Sequence, residues 1–184
     1  MDNWHGISYD NLLLVAGTGR NSGKTSFVCQ VCEEWDSTLP LVCIKISNHI
    51  HLQEGTQIIY STKDFTIYEE TLVASDKDTA RMLKAGASKV LFIEADREFV
   101  YQAFEKSMEV IPGNAAIICE SGTLRRYTRP SLFVMLHTLG SEPKKSSKDL
   151  MEVADKIFFF EDGNLQILEN PVVFTNYQWK LNRA

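Results

Sequence analysis

Residues Gly17-Thr18-Gly19-Arg20-Asn21-Ser22-Gly23-Lys24-Thr25-Ser26 bring together three glycines, two cationic side chains and four hydroxyls within ten positions. A glycine-rich turn lets successive backbone N–H groups converge on anionic oxygens, and a helix that starts there adds its positive dipole end. Lys24 supplies a mobile cation for terminal phosphates, and the Thr25 hydroxyl a ligand for Mg²⁺. The chemistry that suits this set is the cradling of a nucleotide's phosphates. An ordinary Gly-rich turn would leave Lys24-Thr25-Ser26 without a role.

Two further residues end apolar runs in a way that invites chemistry. Lys45 follows Leu41–Ile44, with Ser47, Asn48 and His49 close behind. A lysine there reaches either the terminal phosphate or an acidic second substrate, or is simply a surface lysine at a strand end. Glu120 follows Ala115–Cys119 and precedes Ser121-Gly122-Thr123. A carboxylate ending a buried strand beside a phosphate site holds Mg²⁺ through water or orients an attacking water, or is simply a charge at a strand end.

These side chains need strands that end together and a helix that starts at the loop. Leu12–Ala16 is a five-residue apolar run, the pattern of a strand buried on both faces. After the loop, Phe27, Val31 and Trp35 recur at i, i+4, i+8, with Val28 and Cys32 beside them, as on one face of a helix. Leu41–Ile46, Val90–Ile93, Ala115–Cys119, Leu132–Leu136 and Ile157–Phe160 read as strands; Asp78–Ala85, Glu98–Val110 and Ser147–Val153 read as helices. The alternation predicts one α/β domain over residues 1–184, a mostly parallel sheet with helices on both faces, whose ligands gather at the carboxyl ends of the strands.

Residues 47–74 break the pattern. Ile58-Ile59-Tyr60 and Phe65-Thr66-Ile67-Tyr68 flank Ser61-Thr62-Lys63-Asp64, which predicts a β-hairpin inserted after the second strand. An apolar hairpin leaving the sheet exposes an edge, so a homodimer through this insertion is expected. Leu165–Leu168 and Val172–Phe174, around Asn170-Pro171, suggest another hairpin.

The formal charge of −5 and the absence of a basic run argue against a nucleic-acid surface. Nothing resembles a signal peptide, and the apolar runs are too short to span a bilayer, so a cytoplasmic protein with no membrane partner is expected. Cys29 and Cys32 have Cys-x-x-Cys spacing, but no second ligand pair accompanies them unless His49 and His51 join. Packing of the four thiols in the core is the expected outcome.

The loop resembles that of the P-loop NTPases. Their usual spacing asks for glycine at position 18; Thr18 stands there between Gly17 and Gly19, making the loop one residue longer or unconventional. The order of this loop, then Cys43-Ile44-Lys45-Ile46-Ser47-Asn48-His49, then Asp78-Thr79-Ala80-Arg81 leading to Ala85-Gly86-Ala87, then Ile118-Cys119-Glu120-Ser121-Gly122, resembles the adaptor proteins of molybdopterin-guanine dinucleotide biosynthesis (MobB type). The chain is also similar to the wider group containing dethiobiotin synthetase, whose loop likewise begins Gly-Thr. The likeness spans about residues 12 to 137. The adaptors usually carry Lys-His where Lys45-Ile46 stands and Glu-Gly where Ser121 separates Glu120 from Gly122. The resemblance implies that Gly17 to Ser26 cradle the phosphates of GTP or ATP, that Thr25 and Glu120 serve Mg²⁺, with Lys24 and Glu120 as the catalytic pair, and that Lys45 faces a second ligand.

Three classes of function follow. The first is a GTP-binding accessory protein that assists a molybdenum-cofactor enzyme and hydrolyses slowly. The second is an ATP-dependent small-molecule kinase or dethiobiotin-synthetase-like ligase, which should close a lid of arginines over the phosphates, with Arg125, Arg126 and Arg129 as candidates. The third is a nucleotide-dependent binding module. The Asn/Thr-Lys-x-Asp pattern of guanine recognition does not follow Leu132–Leu136, where Thr138-Leu139-Gly140-Ser141 stands, so the base is left open.

Overall fold

The computed structural model describes residues 6–48, 55–161, 164–166 and 171–182. Leu12, Leu13, Leu14, Val15 and Ala16 are wholly buried. They form the middle of β1 (Ile7–Gly17), which pairs in parallel with β6 (Ala116–Glu120) on one side and β7 (Thr128–Thr138) on the other. A strand so enclosed must be apolar on both faces, which is why its sequence runs rather than alternates.

The remaining strands extend this centre. β2 (Leu41–Ser47) lies between β6 and β5 (Lys89–Ala95), and β8 (Lys156–Glu161) lies beside β7, all in parallel. β3 (Thr56–Ser61) and β4 (Phe65–Glu70) pair antiparallel, and β4 continues the sheet antiparallel to β5. β9 (Asn164–Gln166) closes the other edge against β8. The nine strands run in the order β3-β4-β5-β2-β6-β1-β7-β8-β9.

Helices cover both faces. α1 (Lys24–Glu33) and α2 (Asp78–Lys84) pack Phe27, Val31 and Met82 on the face lined by Leu13, Val15, Cys43 and Ile118. α3 (Val100–Met108) and α4 (Lys145–Glu152) pack Phe104 and Leu150 on the opposite face, lined by Leu12, Leu14, Ile117 and Cys119. The period of two along each strand sorts these residues between the two cores. The expected α/β architecture is present in this form.

Two local expectations change. The segment 56–70 does not leave the sheet; it becomes its edge, with Ile58 more than half exposed on the outer strand β3. In the tail, among the described residues, Val172–Phe174 does not pair with Leu165, whose partner is Phe160 on β8. It belongs to β10 (Val172–Thr175), which forms a hairpin with β11 (Gln178–Leu181) through Asn176 and Tyr177, at φ 53° and 59°. Two consecutive left-handed residues make the tight turn whose twist suits a two-residue hairpin. Ile167, Leu168 and Asn170 lie outside the described residues.

The hairpin is anchored by aromatic packing. Trp35, just past α1, lies 5.6 Å from the Trp179 ring and 5.8 Å from that of Phe174. Trp179 donates its indole N–H to the Asn11 carbonyl at 3.1 Å and its backbone N–H to Ser131 Oγ at 3.1 Å. Trp179→Ala should therefore destabilise the fold by about 3–5 kcal/mol, the range for removing a buried aromatic. Urea unfolding followed by fluorescence measures it; a loss below about 1 kcal/mol would show that the hairpin is not part of the cooperative unit.

Candidate functional site

β1, β2, β5 and β6 end side by side, and their carboxyl ends open into a cleft of about 680 Å³. Lys45 and Glu120 are register partners, each two residues beyond a core position, Cys43 and Ile118, on the α1/α2 face. Period-two alternation thus carries polar side chains onto the same face where the apolar core stops. The first turns of α1 and α2 begin at that level, so Thr25 and Asp78 meet them there.

The four residues form one network. Lys45 Nζ donates to Asp78 Oδ2 at 2.6 Å and to Glu120 Oε1 at 3.0 Å, while the Thr25 hydroxyl donates to Glu120 Oε2 at 3.0 Å. Arg81 adds a longer contact, 3.6 Å to Asp78 Oδ1. Burial alone would lower the Lys45 ammonium and raise the Asp78 carboxyl. The opposite charges outweigh it: Glu120 and Asp78 hold Lys45 above 10.5, and Lys45 holds Asp78 below its ordinary 3.8.

The loop 17–23 is shaped by its own backbone. Asn21 and Gly23 are left-handed, at φ 54° and 83°. A Cβ on Gly23 would lie 2.5 Å from the Phe160 ring, so strain and space both require glycine. A Cβ on Gly17 would lie 2.2 Å from Ser22 Oγ, whereas the space beside Gly19 is open. Thr18 is buried and pinned: its N–H donates to the Leu136 carbonyl at 3.0 Å, and its Oγ1 lies 2.9 Å from His137 Nδ1. A glycine at this position would lose that side-chain anchor.

Lys24 folds back over the loop, donating to the Gly19 carbonyl at 3.0 Å and to Ser22 Oγ at 3.2 Å. Both acceptors are neutral. Burial lowers its ammonium below 10.5, and the attraction of Glu120 offsets this only in part. No side chain caps the N-terminus of α1, and its first turn holds no acidic residue. The first-turn N–H groups of the helix are therefore uncapped where the helix lines the cleft. The cleft as a whole is basic: Arg20, Lys24, Lys45, Arg81, Arg97 and Lys144 line it against Asp78 and Glu120, in a chain with 19 basic and 24 acidic residues.

Every residue expected at the site, Gly17 through Ser26 with Lys45 and Glu120, lines this cleft. Lys45 differs from expectation, because two carboxylates already occupy it. Arg125, Arg126 and Arg129 do not line the cleft; Arg125 donates to the Thr128 carbonyl at 3.3 Å and lies over the Phe133 ring. Arg20, Arg81 and Arg97 face the cleft instead. Asp78 was legible as a helix start and as part of the Asp78–Arg81 resemblance but not as a partner of Lys45, and Arg97 had no local signal. The thiols pack as expected: Cys32, Cys43 and Cys119 are buried, with Cys32 Sγ 3.5 Å from Cys43 Sγ. Among the described residues no group of three or more His, Cys, Asp or Glu is placed to hold a metal, and His49 and His51 lie outside those residues.

Comparison with protein-family models, with curated proteins and with solved structures gives no match to this chain. Among the described residues no helix is long and apolar enough to cross a membrane.

The Lys45–Asp78 pair has a pH signature. A carboxyl held below its unfolded value stabilises the fold above about pH 3.8, and that stabilisation is lost as pH falls through the folded value. Asp78→Asn should remove this component, giving a flatter stability profile below pH 3.8 than the wild type. Urea midpoints measured from pH 6 to pH 2 test it, and superimposable slopes would mean that Asp78 is not paired in solution.

Proposed function

We propose that this chain binds a nucleoside triphosphate, GTP or ATP, by its phosphates in the P-loop-like turn Gly17–Ser26. The observation that carries this reading is Lys24. A partly buried ammonium has only neutral oxygens for partners, at the start of an uncapped helix, in a basic cleft. A polyphosphate supplies the missing negative charge, and loop amides and helix N-terminus supply its hydrogen-bond donors.

The donor set fits Mg²⁺. The Thr25 hydroxyl and the Glu120 carboxylate are hard oxygen ligands already in contact with one another. They would hold the ion, which neutralises phosphate charge when bound. In this reading Glu120 would also orient a water. Slow hydrolysis belongs to this reading.

The order of motifs around Lys45, Asp78–Gly86 and Glu120 supports an accessory role in molybdenum-cofactor biosynthesis, in the manner of the molybdopterin-guanine dinucleotide adaptors. A second reading, an ATP-dependent small-molecule kinase or dethiobiotin-synthetase-like ligase, is favoured by one feature: Arg81 and Arg97 face the cleft in addition to the loop's own cations. Titration with ATP and GTP, with and without Mg²⁺, following both binding and hydrolysis, separates the two.

Lys24→Ala should weaken triphosphate binding roughly 10- to 100-fold, the loss expected for one charged hydrogen bond, while leaving the circular dichroism spectrum unchanged. Unaltered affinity by calorimetry would remove the nucleotide reading. Glu120→Gln keeps the shape and removes the charge. Triphosphate binding should then survive with weaker Mg²⁺ dependence, and hydrolysis should fall at least about ten-fold. Equal hydrolysis and equal Mg²⁺ dependence in both proteins would place Glu120 outside the reaction.

A further inference from the structure

We infer that the β2–β5 side of the same cleft is a second oxyanion subsite, where Arg81 and Arg97 hold the carboxylate or phosphate of a small molecule beside the nucleotide. This rests on the nucleotide reading above and adds the class of the second ligand.

The strand order sets the distances. Arg97 lies two residues past the end of β5, and β5 stands three strands from β1 in the order β5-β2-β6-β1. At about 4.8 Å per strand, Arg97 springs from a point about 14 Å across the sheet from the strand that feeds the loop. Arg81 sits in the last turn of α2, next to that side. Between them and the loop stands the Thr25–Glu120–Lys45–Asp78 network. A ligand held by the two arginines therefore meets the nucleotide across this network and does not overlap the loop.

Charge supports the same division. Lys45, the cation expected to receive a second ligand, is neutralised by two carboxylates at 2.6 and 3.0 Å. Arg81 has only the 3.6 Å contact with Asp78, whose other oxygen belongs to Lys45. Among the described residues Arg97 forms no ion pair. Both arginines line the cleft, as do Ser47, Asn48 and Thr123. Guanidinium groups offer paired N–H donors that match a carboxylate or phosphate edge. The ligand class is thus a small oxyanion-bearing molecule, not a second nucleoside selected by its base.

The test uses the full chain with Mg²⁺ and a saturating non-hydrolysable triphosphate, titrated by calorimetry with inorganic phosphate and, in a second arm, with acetate. At least one anion should still bind, and the arm that binds tells phosphate from carboxylate. Arg97→Gln should weaken that anion ten-fold or more and leave triphosphate affinity within two-fold. Lys24→Ala, titrated with the anion alone, should keep it. Three results overturn the subsite: neither anion binds the saturated protein, Arg97→Gln binds it as the wild type does, or Arg97→Gln weakens the triphosphate ten-fold, which would make Arg97 part of the nucleotide site. If no triphosphate binds the wild type, the nucleotide reading alone fails, and the Arg97→Gln comparison with the anion still decides the subsite.

Discussion

Glu120 is a nearly buried carboxylate at the end of a central strand, and its charge has to be met from several directions at once. Lys45 meets one oxygen and Thr25 the other. Removing one partner of such a pair leaves an uncompensated buried charge, typically about 3–5 kcal/mol. The requirement ties β6 to β2 through Lys45 and to α1 through Thr25. Lys45 also donates to Asp78, which ties in the start of α2. Four elements are fixed relative to one another by one buried charge.

Two of the cleft's three lysines, Lys24 and Lys45, are shifted in opposite directions. Lys45 is held charged by neighbours already in place, so it is committed to the architecture. Lys24 is held near neutral oxygens in a partly buried position that lowers its proton affinity. The negative charge of the proposed phosphate ligand would act against that shift. The excess of basic groups in the cleft of an acidic chain adds a field that gathers anions there and repels them elsewhere.

What the sequence made legible was local. The apolar run of β1, the helical period of α1 and the loop between them are contiguous, so their signal needs no tertiary knowledge. Lys45 and Glu120 were found because each ends an apolar run. Their direct contact was not readable, since it depends on β2 and β6 being neighbours in register. Asp78 and Arg97 are brought in by strand order alone, and no periodicity marks them. The tight turn at Asn176-Tyr177 gave no sequence signal, because a tyrosine there takes a backbone conformation that its type rarely adopts. Thr18 broke an expected spacing for a reason visible only in three dimensions: its hydroxyl is needed by His137 on β7.

That anchoring bears on how the loop works. Thr18 fixes the loop's entry to β7, Gly23 seats its exit beneath Phe160 and Leu165 at the β8–β9 edge, and Ser22 closes its middle back onto Gly19. Two attachments to other elements and one bond within the loop hold a segment of seven residues with two left-handed residues, a conformation that an isolated chain would rarely sample. The entropy of ordering the loop is therefore lost during folding, and under the proposed function it would not be lost again when a phosphate binds. It also means that the loop and the sheet edge at β8–β9 cannot move independently. A substitution at Phe160, outside any recognisable motif, acts on the loop as directly as one within it.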